Sequence, residues 1–238
     1  MKAMLLAAGL GTRLKPWTDK HPKALAEVTD KSLLQRNVEY LQQYGIYDVI
    51  VNVHHFAGQI IDALRQSKGW GSNISVSHEI HEALETGGGL KQAAWYFKNE
   101  EKFLLMNVDV LTDLNLHQLI AQHEKNKCLA TLATTNRKTS RYLLFDENNR
   151  LSGWENTGTG EKKIARHAET FKQQAFSCIH VINSKIFSLM KQEGKFSMIE
   201  VYLSLASKEN IQLFEHSEGK FIDVGKPESI EKADLLFG

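Results

Sequence analysis

Cysteine and proline are scarce in this chain of 238 residues, which has two cysteines and three prolines. Cys128 and Cys178 each lie inside an apolar stretch. We therefore expect two buried, reduced thiols and exclude a disulfide scaffold or a cysteine-ligated metal site. Ten histidines are present, but the closely spaced His78 and His81 have no evident third ligand, so no zinc site is predicted.

The chain also lacks strong net charge and long apolar runs. Its formal net charge of +1 at pH 7 provides no global field to hold it on nucleic acid or an anionic membrane. No apolar run approaches the roughly 20 residues that span a bilayer. The apolar segment 3–8 is too short for the h-region of a signal peptide. We expect a cytoplasmic protein that binds neither nucleic acid nor membrane.

Strand and helix patterns alternate in the first half of the chain. Apolar runs typical of buried strands occupy residues 4–7, 48–53, 74–78, 103–106 and 129–134. The periodicity between them predicts helices that begin near residues 32, 60, 90 and 116. Repeated units of this size predict an α/β fold with a Rossmann-like, mostly parallel sheet and helices on both faces.

The pattern changes after about residue 136. Residues 142–145 and 151–154 predict a β-hairpin, whereas the polar stretch 155–174 predicts a long loop. We interpret residues 136–182 as a small β-insertion and lid within a single domain of residues 1–238. Strands follow at 211–214 and 220–224, and Pro227 is predicted to open a final helix.

A glycine loop follows the first strand, and cations follow the loop. Gly9 and Gly11 lie at a strand end, the usual place for backbone amides to bind phosphate. Leu14 replaces the third glycine of the dinucleotide fingerprint, and the G-K-[ST] of the P-loop is absent. Arg13 and Lys23 are placed to reach a polyphosphate held by this loop.

Two aspartates leave apolar strands farther along the chain. Asp109 follows the strand at 103–106, and Asp223 lies in the strand at 220–224. Open parallel sheets bind ligands at the carboxyl ends of their strands. The two carboxylates could share one Mg²⁺ ion, or each could cap a helix. For the helix near residue 116, Asp113 is the better cap candidate.

The opening segment resembles the signature of sugar-1-phosphate nucleotidylyltransferases, also called NDP-sugar pyrophosphorylases. The matching residues are LAAGLGTRLKPWT at 6–18 and PKAL at 22–25. The form LETGGG at 84–89 is most similar to N-acetylmuramate-1-phosphate uridylyltransferases and small guanylyltransferases. The resemblance extends over essentially the whole chain and implies a fold of the nucleotide-diphospho-sugar transferase type.

That resemblance implies roles for the matching residues. Catalytic roles fall on Arg13, Lys23 and Asp109. Nucleotide-binding roles fall on Leu6, Ala7, Ala8, Gly9, Gly11, Thr12, Arg13, Lys23, Glu79, Thr86, Gly87 and Gly88. Sugar-binding roles fall on Asn107, Glu155, Asn156 and Ser177. A Mg²⁺ ion is assigned to Asp109 and Asp223.

The implied reaction is NTP + sugar 1-phosphate → NDP-sugar + pyrophosphate, in a monomer or homodimer. UTP with an N-acetylmuramate-type sugar is favoured over GTP with mannose or heptose, for a cell-wall or surface-polysaccharide precursor. Val108, Cys178 and Lys226 depart from the family pattern, and the first two leave the acceptor sugar open. Two alternatives remain, a metal-dependent glycosyltransferase that uses a nucleotide sugar and a non-catalytic nucleotide-sensing homologue.

Overall fold

The computed structural model describes residues 1–238. The strands are β1 (Lys2–Leu6), β2 (Glu27–Val28), β3 (Lys31–Ser32), β4 (Asp48–Val53), β5 (Asn73–His78), β6 (Lys102–Asn107), β7 (Val110–Thr112), β8 (Ala130–Thr135), β9 (Arg141–Phe145), β10 (Leu151–Asn156), β11 (Glu161–Ile164), β12 (Lys172–Asn183), β13 (Ile211–Glu215) and β14 (Phe221–Asp223). The α-helices are α1 (Leu33–Gln42), α2 (Ala57–Gln66), α3 (Glu85–Gln92), α4 (Leu116–Lys125), α5 (Ile186–Leu189), α6 (Met198–Leu205) and α7 (Pro227–Phe237).

Ten strands form a mixed central sheet. Its main path runs β11-β10-β9-β12-β6-β1-β4-β5, with β8 beside β12 and β13 beside β8. β1 pairs in parallel with β4 and β6, and β5 pairs in parallel with β4. β12 runs antiparallel to β6, β8 and β9. The predicted α/β class is confirmed, with the antiparallel pairs concentrated in the second half of the chain.

Apolar side chains cover both faces of the sheet. Ala3 and Leu5 of β1 belong to one buried cluster, and Met4 and Leu6 belong to another. Because successive side chains of a strand point to opposite faces, the two clusters lie on opposite sides of the sheet. Helices α1 and α2 cover the first side and α3 and α6 cover the second. None of the helices combines the length and apolar character that a bilayer crossing requires.

The predicted cap of α4 was wrong. Asn115, not Asp113, caps this helix, since its Oδ1 accepts the N–H of Gln118 at 3.2 Å. Asp113 Oδ1 instead accepts the N–H of Lys220 at 2.7 Å. This bond joins residues 107 positions apart, so local spacing could not reveal it.

The predicted loop at 155–174 was also partly wrong. Residues Glu161–Ile164 form β11, which pairs antiparallel with β10. All four residues of β11 are exposed, so the strand lacks the alternation of apolar and polar residues that identifies a half-buried strand. The hairpin of β9 and β10, which was predicted, is confirmed.

Candidate active site

The glycine loop follows β1 and is held in place by the segment after it. Gly11 has φ 63°, and a Cβ at this position would lie 2.8 Å from Thr18 Cγ2. Thr18 Oγ1 donates a hydrogen bond to the Gly11 carbonyl at 2.9 Å. Only glycine fits this combination of left-handed backbone and close contact. The same contact brings Lys23 beside the loop, since its Cβ would lie 3.1 Å from a Cβ on Gly11.

A buried hydrogen-bond network connects the glycine loop to β4 and to residues 79–84. The N–H of Ala7 donates to Asn52 Oδ1 at 2.7 Å, and Asn52 Nδ2 donates to Glu79 Oε1 at 2.6 Å. Glu79 Oε2 accepts the N–H of Leu84 at 2.7 Å. The Glu79 side chain is buried and does not line the cavity, so it positions the loops around the site rather than facing it.

The glycine triplet lies inside a helix. The sequence had instead predicted that it lies before a helix that begins near residue 90. Helix α3 begins at Glu85 and includes Gly87 and Gly88. The N–H groups of both glycines donate to the Phe196 carbonyl, at 2.9 and 3.1 Å. A Cβ on Gly87 would lie 2.5 Å from the Phe196 ring, and one on Gly88 would lie 2.4 Å from the Gly194 carbonyl oxygen. The missing side chains are therefore explained by packing against residues 194–196.

Gly88→Ala is expected to destabilise the protein. The added methyl group would overlap a backbone oxygen, which cannot move away as a flexible side chain can, and overpacking of this kind costs about 1–3 kcal/mol. Urea denaturation measures the change in the free energy of unfolding. Gly58→Ala is the matched control, because nothing lies within 4 Å of a Cβ on Gly58 in α2. Equal stability of the two variants would contradict the packing argument.

Two carboxylates and one ammonium group meet at the carboxyl ends of β6 and β14. Lys23 Nζ contacts Asp109 Oδ2 and lies 4.0 Å from Asp223 Oδ1. The residues that follow β6 and β14 are also joined through their backbones, since the N–H of Val224 donates to the Asp109 carbonyl at 2.8 Å. Arg13 Nη2 lies 3.8 Å from Asp223 Oδ2. The structure therefore brings both predicted aspartates and both predicted cations into one cluster.

The environment of this cluster shifts two titrating groups. Burial and the charge of Asp109 raise the pKa of Asp223, while Lys23 and Arg13 oppose that rise. Burial, with the same two carboxylates, raises the pKa of the Cys178 thiol to about 12. The thiol is therefore protonated at neutral pH and does not act as a nucleophile. Both cysteines are free; Cys128 is buried, as predicted, whereas Cys178 is half-buried.

A cavity of about 380 Å³ opens between the glycine loop, the start of α3 and the end of β6. The predicted nucleotide-binding residues that line it are Leu6, Ala7, Ala8, Gly9, Gly11, Thr12, Lys23 and Thr86. Asn107 and Asp109 also line it. The predicted nucleotide-binding residues that do not line it are Arg13, Glu79, Gly87 and Gly88. Its volume is in the range of small-molecule sites.

The other predicted sugar-binding residues lie outside this cavity. Glu155 Oε2 accepts a hydrogen bond from Gln173 at 2.7 Å, and Asn156 Oδ1 accepts the N–H of Gly158 at 3.0 Å. Ser177 Oγ lies 2.8 Å from His216 Nε2. The sugar-binding roles of Glu155, Asn156 and Ser177 stay predictions.

Sequence reasoning missed three polar residues that line the cavity, Asn52, Glu85 and Lys195. Asn52 had a detectable signal, because it is the one polar side chain between the valines and isoleucine of β4. Glu85 belonged to a motif that was recognised, but only for its threonine and glycines. Lys195 had no local signal, since its position depends on the packing of residues 194–196 against α3.

The sequence matches a known protein family and characterised proteins. The Nucleotidyl transferase family model matches residues 2–236. Mannose-1-phosphate guanyltransferase of Yarrowia lipolytica is 28% identical over 240 residues, which cover 100% of this chain and 64% of the relative. N-acetylmuramate alpha-1-phosphate uridylyltransferase of Neisseria meningitidis is 42% identical over 115 residues, or 48% of this chain and 49% of the relative. The chain thus spans about half to two thirds of the length of these two relatives.

Solved structures share the fold. The crystal structure of HddC from Yersinia pseudotuberculosis complexed with GMP-PN superimposes with a TM-score of 0.80 and 24% identity. The alignment covers 100% of this chain and 99% of the HddC chain. The structure of a putative glucose-1-phosphate thymidylyltransferase from Bacillus anthracis gives a TM-score of 0.81 at 19% identity, over 99% of this chain and 94% of the other. At these identities the similarity establishes the architecture alone.

Proposed function

The chain belongs to the nucleotidyl transferase family, and from this premise we propose that it transfers a nucleotidyl group from an NTP to a sugar 1-phosphate, releasing pyrophosphate. One observation carries the proposal. The glycine loop, Lys23 and Asp109 line one cavity, and Asp223 lies beside it, 4.0 Å from Lys23 Nζ. Such a site suits two anionic reactants, because it combines phosphate-binding amides with a lysine that neutralises phosphate and two carboxylates that can hold a divalent cation.

The nucleotide side of the site is built from backbone amides and cations. The N–H groups of Gly9, Leu10 and Gly11 donate to no other group of the chain. They are therefore available to phosphate oxygens, which successive amides of a turn bind well. Lys23 adds a positive charge at the same edge of the cavity, and its ammonium is mostly buried, with 11% of the side chain exposed. We assign the triphosphate to this side.

Asp109 and Asp223 fit a divalent cation. Both are carboxylates, the donors that Mg²⁺ prefers. Burial, together with the charge of Asp109, raises the pKa of Asp223, so the two carboxylates repel each other when no ion is bound. No group of three or more acidic, histidine or cysteine side chains lies together, so phosphate oxygens and water would complete the coordination. A bound Mg²⁺ would supply charge neutralisation at the reacting phosphates.

The chain contributes positioning and charge rather than a proton acceptor. A sugar phosphate is already an anionic nucleophile, so its attack on the α-phosphorus needs no general base. The barrier comes from repulsion between anions and from alignment, which a site with fixed donors and cations lowers. Lys23 and Arg13 stabilise the charge on the departing pyrophosphate. Asp109 and Asp223 orient the site through their shared contact with Lys23.

Pyrophosphate release from a matrix of four NTPs and a panel of sugar 1-phosphates tests this function. UTP with N-acetylmuramate 1-phosphate is the first pair, because the Neisseria relative shares 42% identity. GTP with mannose 1-phosphate is the second, because the Yarrowia relative aligns with 100% of this chain. Release of a nucleoside diphosphate from a nucleotide sugar, without pyrophosphate, would indicate a glycosyltransferase instead. Tight NTP binding without any product would indicate a nucleotide sensor.

Asp223→Asn is expected to separate stability from activity. Since the folded-state pKa of Asp223 is raised, its ionisation disfavours the folded state as the pH rises through the ordinary aspartate range. The variant should therefore have a Tm at neutral pH no lower than the wild type, and the difference should shrink in acid, where Asp223 is protonated. Its kcat/KM should fall on the order of 100-fold. Calorimetry and pyrophosphate assays measure both, and a lower Tm at neutral pH would contradict the repulsion argument.

A further inference from the structure

Three cations in and just after β11 contact groups other than the acidic cluster of Asp109 and Asp223. Lys162 Nζ lies 5.1 Å from the ring centroid of Phe171. Lys163 lies 3.1 Å from the carboxylate of Glu161, and Arg166 lies 3.8 Å from that of Asp146. These three basic residues follow the predicted sugar-binding residues Glu155 and Asn156 in the chain. Because of these contacts, we do not assign the phosphate of the sugar 1-phosphate to any of these three cations.

Arg137, which follows β8, lies beside the acidic cluster instead. Its Nη2 donates to the Phe176 carbonyl at 2.8 Å, and its guanidinium carbon lies 4.9 Å from the ring centroid of Phe221. Phe221 and Asp223 are two residues apart in β14, so their side chains share one face of the strand. The guanidinium on Phe221 is therefore a neighbour of Asp223. Lys23, Arg13 and Arg137 are the three cations whose charge acts on Asp223.

Unlike Arg13 and Lys23, Arg137 has no carboxylate partner within 4.0 Å. Its Nε is buried and has no hydrogen-bond partner. A buried donor of a charged group is normally satisfied, because leaving it unpaired costs free energy. The guanidinium fork is thus held in place by Phe176 and Phe221 while part of its donor capacity is unused.

We propose that Arg137 binds the phosphate of the sugar 1-phosphate acceptor beside Asp223. The inference rests on the proposed function and adds the acceptor side to it. An arginine fork can donate to two oxygens of one phosphate, which fixes the orientation of the nucleophile as well as its charge. Arg137 would also let a phosphate dianion approach two carboxylates, since it supplies positive charge near Asp223 without forming an ion pair within 4.0 Å.

Arg137→Gln tests the assignment by separating the two substrates. We expect the KM for the sugar 1-phosphate to rise at least 10-fold, while the Kd for the NTP changes less than threefold. Arg137→Lys keeps the charge but loses the fork, so its KM should lie between those of the wild type and Arg137→Gln. Lys162→Gln is the control, since Lys162 is exposed on β11, and both constants should stay within twofold of the wild type. An unchanged Tm confirms that the variants fold.

Direct binding of the sugar 1-phosphate panel, measured by calorimetry with the NTP absent, tests the role of Arg137 separately from the proposed reaction. Weaker binding by Arg137→Gln than by wild type supports the assignment even if no pyrophosphate is released, a result that would overturn the proposed reaction alone. Equal binding and equal KM in wild type and Arg137→Gln would overturn the role of Arg137 and leave the proposed reaction intact. A KM increase shared by Lys162→Gln would also overturn it.

Discussion

Lys23→Ala is expected to lower kcat on the order of 100-fold or more, the largest effect of any single cation in the site. Lys23 is the one group in contact with Asp109 and within 4.0 Å of Asp223, and it lines the cavity beside the glycine loop. Its removal takes away the charge proposed to stabilise the pyrophosphate leaving group. Steady-state pyrophosphate release at saturating substrates measures this loss.

The same variant should be less stable at neutral pH, since two carboxylates then face each other without the ammonium between them. Lowering the pH should reduce the difference in Tm from the wild type, because protonation removes the repulsion. Lys20→Ala is the matched control, because Lys20 is an exposed lysine of the same segment with no ion pair. We expect it to keep wild-type turnover and Tm. Wild-type turnover in Lys23→Ala would refute the role given to Lys23.

Asp109→Asn should also lower kcat/KM on the order of 100-fold or more, and it should raise the Mg²⁺ concentration needed for half-maximal activity. The amide keeps the shape of the side chain and removes its charge. Only 18% of the Asp109 side chain is exposed, against 45% for Asp223. Asp109 is therefore the less solvated carboxylate, and its charge is less screened by water. A Mg²⁺ titration of the initial rate measures both changes.

A carboxylate elsewhere on the surface provides the comparison. Asp62 lies 3.7 Å from Arg65 on the exposed side of α2, and surface pairs of this kind contribute little to stability. Asp62→Asn should leave the rate and its Mg²⁺ dependence unchanged. If Asp109→Asn behaves like Asp62→Asn, the acidic pair has no part in the reaction and the metal assignment fails.

Local patterns in the sequence predicted most elements of the fold. Ser32 caps α1 through the N–H of Gln35 at 3.1 Å, and Pro227 lies in the first turn of α7. These features depend on residues close together in the chain, where apolar periodicity and side-chain caps act directly on the backbone. The positions of Asp109 and Asp223 were predicted for a similar reason, because apolar strands precede both.

The long-range contacts of the site could not be predicted in this way. Glu79 was assigned to the nucleotide, yet its carboxylate is buried against Asn52 and the N–H of Leu84. The glycine triplet was predicted to lie before a helix that begins near residue 90, and glycines lower helix propensity. Packing against Phe196 and Gly194 outweighs that propensity in α3. Each of these outcomes depends on segments that the sequence alone does not place together.

The sequence by itself determined the alternation of strands and helices, the glycine loop and the chemical types available for binding phosphate. Tertiary structure alone decided which charged groups meet: Asp109 and Asp223 are 114 positions apart in the chain, yet both approach Lys23. It also decided that Arg137 lies beside Asp223 while Lys163 and Arg166 pair with other carboxylates. The physical reason is that local conformation depends on near neighbours, whereas Coulomb and hydrogen-bond energies depend on distances in space that only the packed sheet sets.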